Sequence, residues 1–437
     1  MALDMTETQY EAYVSKHATW NFAVNVLDLT FFHFASSFIF GATVLSLYAS
    51  HLTSSAALIG LIPAIQQVGY YLPQLFLAHH IETLPRKKPL LIRISVFERL
   101  PYLFVALMAL LVPGAPHWLS YVVLALSLAM AATAGGLIGP AWQNMLAKVI
   151  EPERRGFFFG LSNALGGLLG VAGAAISRYV LGAYAYPTTF GLCFLLAFGA
   201  QVLSWLSVAS TREPARDPQK ESLPVREYLS RLPAVLRSNP NFMRYLASRA
   251  LIILGTMATA FYIVYARKEF GVDDAFAGTL TMVALVSQTL FTPLLGWLAD
   301  HKGHKWATEV CTALGIGAAI LALVGPSTKW LYGVFVLMNA STSGMMVASL
   351  SMVMTFAKPD DLPTYIGLTN TLLAVPILVA PVLGGWIVDL AGFRVLFWVA
   401  LAMGALGLVT MRWAVREPEH AESPLASGPQ EQGALAG

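Results

Sequence analysis

Asp28 stands in an apolar stretch, with Asn21 seven residues before it and Asn25 three before it. Phe32, Ser36, Thr43 and Ser46 follow at compatible spacing. At 100° per residue these seven side chains fall within about 60° of one direction, so a helix here carries a polar stripe. Such a stripe on an otherwise apolar helix normally faces a water-filled cavity, not lipid. A carboxylate at mid-bilayer costs about 2.5–3.5 kcal/mol on insertion scales, and less nearer an interface. Asp28 therefore has three roles open to it: binding a solute or proton, a structural pairing, or interfacial hydration. The first is the chemistry of a proton-coupled carrier. Wet and dry surroundings hold a carboxylate's proton differently, so an alternating site loads and releases it. Asn25 and Asn21 would supply hydrogen bonds. His33 points about 100° off the stripe and is read as a packing residue.

Glu98 and Arg99 form a charged pair inside another apolar stretch. Adjacent residues on a helix diverge by about 100°, so they are expected to find partners on other helices as structural ion pairs. Gln66, Gln67, Gln143, Asn144, Thr259, Tyr262, Gln288, Asn339, Thr342 and Ser343 are further in-span polar groups. Each serves equally well as a hydrogen-bonded link between helices. His79, His80, His301 and His304 lack Cys or acidic companions at ligand spacing, so no metal site is expected.

These residues sit in a chain that is 57% hydrophobic and 12% charged, against about 25% charged in soluble domains. The apolar residues come in blocks long enough to cross about 30 Å of hydrocarbon. With no water to satisfy the backbone there, each block must be helical. Twelve are predicted, over 20–48, 55–79, 90–112, 117–146, 157–182, 187–210, 242–266, 274–299, 305–326, 329–356, 363–390 and 393–415. Cys193 and Cys311 fall inside spans in different halves and read as packing residues. Residues 1–19 lack the pattern of a cleavable signal peptide.

Basic residues are unevenly shared. Short loops on one side carry Arg86, Lys87, Lys88, Lys148, Arg154, Arg155, Lys302, Lys305 and Lys358, and the central polar stretch adds six more. The other side has Arg178, Arg267, Lys268, Lys329 and Arg394. The positive-inside rule then places both termini and the central loop in the cytoplasm. The expected organisation is a cytoplasmic segment 1–19, a six-helix bundle 20–210, a cytoplasmic loop 211–241, a second bundle 242–415 and a disordered tail 416–437. Within the loop, Val225, Leu229, Leu232 and Leu236 recur at helical spacing, predicting a short surface helix that Pro233 would interrupt.

The two halves repeat each other. Gly160-Leu161-Ser162-Asn163 opens the fifth span and Gly367-Leu368-Thr369-Asn370 the eleventh. Arg212-Glu213-Pro214 ends the sixth and Arg416-Glu417-Pro418 the twelfth. Asn163 and Asn370, being repeat-equivalent, are expected to share a structural role. Parallel repeats about an axis normal to the membrane are a transporter plan, with the solute site between them near the midplane. Gly and Ala at four-residue spacing in the fourth and fifth spans permit close helix contact. Pro63, Pro140, Pro376 and Pro381 would permit flexing.

Between the eighth and ninth spans lies Gly296-Trp297-Leu298-Ala299-Asp300-His301-Lys302-Gly303-His304-Lys305. With twelve spans around it, this loop resembles the major facilitator superfamily pattern of Gly, three residues, Asp, two residues, Gly and two basic positions. Gly296, Asp300, Gly303 and Lys305 match, and His304 takes the first basic position. The resemblance implies a cytoplasmic gate. Gly296 would allow helix approach, Gly303 the turn, and Asp300 would pair with Lys305 or a helix terminus. The corresponding loop after the second span has neither the Asp nor the Gly and keeps only Arg86, Lys87 and Lys88. Glu151 to Gly156, Gly384-Gly385-Trp386 and Gly392-Phe393-Arg394 also look like family segments. In that family spans 1, 4, 7 and 10 line the cavity, which favours Asn144, Tyr262 and Asn339 as pathway residues.

The fold expected is all-α, twelve helices in two bundles. The function expected is transport of a small solute by alternating access in the cell membrane. It would be proton-coupled, with export a candidate direction, and the protein a monomer. No P-loop is present, so ATP is not expected to drive it. No cofactor, metal, nucleic acid or enzymatic activity is expected. The rivals are a transporter-derived sensor or scaffold and, less well supported, a polytopic membrane enzyme.

Overall fold

The computed structural model describes residues 6–82, 84–215, 239–356 and 362–416. The amphipathic segment predicted at 225–236, the tail after residue 416 and Lys358 lie outside them. Among the described residues, ten stretches are long and apolar enough to cross a bilayer. The helix at Ala56–Glu82 and a division of the last stretch at Gly392, where φ is 84°, bring the number to the twelve expected.

In chain order, α1 runs through Glu7–Phe38 and, past a π-helical turn at Gly41–Leu45, through Ser46–Leu52. The first half continues with α2 (Ala56–Glu82), α3 (Lys88–Leu111), α4 (His117–Val149), α5 (Pro152–Ala183) and α6 (Thr188–Ala209). The second half begins with α7, made of Pro240–Gly255, a 3-10 segment Thr256–Phe261 and Tyr262–Phe270. Next come α8 (Ala275–Lys302), α9 (His304–Val324) and α10 (Lys329–Phe356). The stretch Leu362–Ala414 supplies α11 before Gly392 and α12 after it.

One boundary differs widely from expectation. Helix α1 begins at Glu7, not near residue 20, because Thr6 and Gln9 form a reciprocal capping box. Residues 7–19 are too polar for a membrane span, so hydropathy missed a helix that local capping starts.

The repeat is visible in matching clasps. Asn21 donates to the Arg212 carbonyl at 3.1 Å and accepts from its N–H at 2.8 Å. Asn241 makes the same two bonds with Arg416, at 2.7 and 2.9 Å. Each ties the first helix of its half to the end of the last. Beside the first clasp, the buried Glu213 accepts from the N–H groups of Lys87 and Lys88 at 2.9 and 2.8 Å and from the Lys148 ammonium at 3.1 Å. It thereby caps α3, satisfying donors that every helix start leaves open.

The halves are joined at one end and separate at the other. At the end carrying residues 39–55 and 270–275, one hydrophobic cluster runs through both, including Phe38, Tyr48 and Phe190 with Phe261, Phe335 and Phe397. At the basic end, which carries the Gly303 turn, the cores are distinct. Val26, Leu146 and Phe158 belong to the first half, and Phe242, Met352 and Leu368 to the second.

Candidate functional site: the wedge between the halves

Antiparallel helices α5 and α8 measure how the wedge opens. A Cβ on Gly182 would lie 3.3 Å from Ala275, one on Gly278 2.5 Å from Arg178 backbone, and one on Gly167 2.6 Å from Thr289. Continued at this register, Gly160 would face Gly296 and Gly156 would face Asp300. They do not meet. Among the described residues nothing lies within 4 Å of a Cβ on Gly160 or Gly156, and Gly296 has only Val347, at 3.8 Å. The close approach expected at Gly296 is thus absent in this conformation, because α5 and α8 diverge beyond Gly167.

The closed end is held by three cross-half latches. Thr43 meets Thr281 at 2.5 Å. His51, stacked on Tyr186, meets Asp274 at 2.9 Å, and Arg267 reaches His51 and Ser50 at 3.1 and 3.3 Å. Asp389 of α11 accepts from the N–H groups of Ala56 and Ala57 at 2.7 and 2.9 Å and from Ser55 at 2.9 Å. A carboxylate at a helix start gains from both the free donors and the dipole. Gly385 makes this contact geometrically possible, since a Cβ there would collide with the Ala56 carbonyl.

Sequence reasoning overlooked Asp389, although the signal was present. Gly385, Asp389, Gly392 and Arg394 repeat the spacing of Gly296, Asp300, Gly303 and Lys305. Both turn glycines have positive φ, 84° and 94°, where a side chain would be strained. At the basic end Lys305 is not given to Asp300. It lies 3.9 Å from Glu309, one turn away on the same face of α9, and donates to the Arg412 carbonyl at 3.1 Å. Asp300 is exposed, with no ion pair among the described residues. By its register, Asp300 would meet the first turn of α5 if the wedge closed. Asp300→Asn is therefore expected to slow transport about fivefold while leaving solute affinity unchanged, the loss being a helix-terminus interaction of about 1 kcal/mol. Wild-type flux in Asp300→Asn proteoliposomes would reduce the loop to a turn.

Asn21, Asn25 and Asp28 of the α1 stripe turn into the first half, not into the wedge. Asn21 is buried in its clasp, and the buried Asn25 donates to the Asn21 carbonyl at 2.7 Å and to Thr211 at 3.0 Å. Asp28, 5% exposed, accepts from Ser204 at 2.6 Å and from the Trp142 indole at 3.0 Å. Arg99 donates to the same Ser204 oxygen at 3.2 Å and to Gln201's carbonyl at 3.0 Å, and pairs with Glu98 at 2.7 Å. Of the pair Glu98 and Arg99, Arg99 reaches another helix, α6. Glu98 keeps its neighbour, because two flexible side chains close the 100° between them. Asp28, Ser204, Arg99 and Glu98 make one buried network inside the first half.

The other candidates are dispersed. Phe32 is half-buried, edge-on to His33. Asn144 is exposed and bonded to the Pro140 carbonyl at 2.9 Å. Tyr262 is buried and stacked on Phe397, at the joined end. Asn339 is buried and accepts from Gln288 at 2.8 Å, linking α8 to α10. The wedge instead contains a cavity of about 180 Å³ between Tyr71 of the first half and Arg249, Ser349, Thr369 and Asn370 of the second. Asn370 thus lines the cavity, and its repeat mate Asn163 is also exposed. Arg249 was overlooked too; a basic residue well inside the apolar run 242–266, beyond Arg244 near its start, was its signal.

Two like halves of six membrane helices, closed at one end and parted at the other around a cavity, define a multi-pass membrane transporter fold. The chain belongs to the Major Facilitator Superfamily, whose family model matches residues 29–266 and 245–436. It is 25% identical to the multidrug resistance protein MdtH of Salmonella typhi, over 63% of this chain and 67% of that one. It is 29% identical to the multi-drug resistance efflux pump PmrA of Streptococcus pneumoniae, over 28% and 30%. Against the first curated relatives it matches, the chain spans 25% to 42% of their length. A D-xylose–proton symporter structure superposes with a TM-score of 0.67, 14% identity and coverage of 92% of this chain and 98% of that one. That likeness is one of fold.

Proposed function

We propose that this protein moves a small solute across the cell membrane by alternating access through the wedge, coupled to a proton held in the first half. The observation carrying this is the one-sided closure: α5 and α8 pack tightly to Gly167 and diverge beyond it. A second state closing Gly160 on Gly296 would release the latches at Thr43, His51 and Asp389. The Asp28, Arg99 and Glu98 network supports the proton, since two carboxylates against one guanidinium leave one charge for a proton to balance. The efflux name of PmrA favours export. Solute flux into proteoliposomes, with and without a pH gradient, tests the reading. No flux for any member of a broad solute panel overturns it in favour of a sensor or scaffold.

The basic end is assigned to the cytoplasm, with both termini and residues 211–241, by the excess of Lys and Arg there. With Cys193 and Cys311 replaced by alanine, Ala185→Cys should label from outside intact cells. Asp217→Cys and Gln430→Cys should not. The reverse pattern inverts the topology.

A further inference from the structure

The second half holds a buried cation without a counter-charge. Arg249 lies ten residues into α7 and is 8% exposed. Its Nε and Nη1 have no hydrogen-bond partner. No ion pair reaches it among the described residues, and two acids of its half have partners elsewhere. Glu309 faces Lys305 and Arg412, and Asp389 caps α2. The Tyr245 hydroxyl and Cys311 lie close to the guanidinium, and neither is a carboxylate.

A charge taken out of water without a partner is strongly disfavoured, and buried polar groups are ordinarily satisfied. Arg249 borders the cavity that Tyr71, Ser349, Thr369 and Asn370 share with apolar side chains such as Ile253. The missing partner therefore belongs in that cavity. We infer that Arg249 is the anion-recognition residue of the solute site, taking the carboxylate of a small organic acid whose apolar body rests against Ile253 and its neighbours. This rests on the transport reading above. A guanidinium suits a carboxylate by shape as well as charge, and Ser349 and Asn370 supply further donors. Tyr71 is the contribution of the first half, so a bound solute touches both moving bodies. The cavity size fits a molecule of about one ring. A bare inorganic anion would leave the apolar wall unused.

The test uses the purified full chain, with benzoate as probe, benzamide as its neutral isostere and inorganic phosphate as an anion without an apolar body. Benzoate should raise Tm and be bound in the wild type, benzamide should do neither, and phosphate should bind at least tenfold more weakly than benzoate. Arg249→Gln should lose benzoate binding more than tenfold while its unliganded Tm is equal or higher, because an uncompensated buried charge has gone. Arg249→Lys should keep part of the affinity. Equal binding of benzoate and benzamide, unchanged benzoate binding by Arg249→Gln, or no benzoate binding in the wild type overturns the proposal. So does a lower unliganded Tm in Arg249→Gln, which marks a structural cation. Flux separates the two readings. Arg249-dependent binding without flux of any solute sinks transport alone. Flux of neutral or cationic solutes that Arg249→Gln leaves intact sinks the anion site alone.

Discussion

Asp28→Asn is expected to abolish pH-driven accumulation while solute exchange continues. The Asn keeps the size of the side chain and can still meet Ser204 and Trp142, so the packing of α1 against α4 and α6 survives. It cannot carry the proton that balances Arg99 against Glu98. One pH unit supplies about 1.4 kcal/mol, or about tenfold accumulation for one proton per solute. The wild type should approach that ratio in proteoliposomes, and Asp28→Asn should settle near unity. Loss of exchange together with a lowered Tm would make Asp28 a structural member of its network. Undiminished accumulation would remove Asp28 from the proton path and direct attention to Glu98, tested as Glu98→Gln.

Gly385→Ala should prevent the latched end from closing. The added methyl would collide with the Ala56 carbonyl, which is backbone and cannot turn aside. Overpacking of this kind costs about 1–3 kcal/mol. The penalty falls only on the state in which α2 and α11 touch. A shift of about 2 kcal/mol changes the ratio of two states roughly thirtyfold. Thr43→Cys, buried in the closed state, should then react far faster with an impermeant thiol reagent from outside when combined with Gly385→Ala. Net transport should fall in proportion. Asp389→Asn, which keeps the glycine contact and weakens only the cap, should shift labelling in the same direction by less. Equal labelling in the glycine variant and its parent would mean that this contact does not separate the two states.

The membrane architecture was readable because block length and hydrophobicity act locally. A stretch such as 329–356 must be helical in lipid whatever it packs against, and the helix found is Lys329–Phe356. The site was less readable. Helical periodicity identified the stripe holding Asn21, Asn25 and Asp28, but a stripe records a shared face, not what lies opposite. Here α6 lies opposite, within the same half. The latch of His51, Arg267 and Asp274 joins two segments more than 200 residues apart and has no local signature. Two failures were avoidable. Thr6 and Gln9 have capping-box spacing, and Asp389 stands where the spacing of the Gly296 loop recurs.

The grip of α5 on α8 near Gly167 works as a fulcrum. From there to Pro152 the free arm of α5 is 15 residues, about 22 Å at 1.5 Å per residue, so each 10° of tilt moves its tip by about 4 Å. A tilt of that size admits water, and roughly twice as much admits a single ring. No helix must unwind and no backbone hydrogen bond must break for the mouth to gape. Thr289 acts as a pivot stop under Gly167, and a bulkier residue at 167 would lengthen the standoff along the whole arm. On the proposed cycle, the contact at Gly167 would help set the width of an entrance far from it, and with it the size of cargo, without rebuilding the chamber.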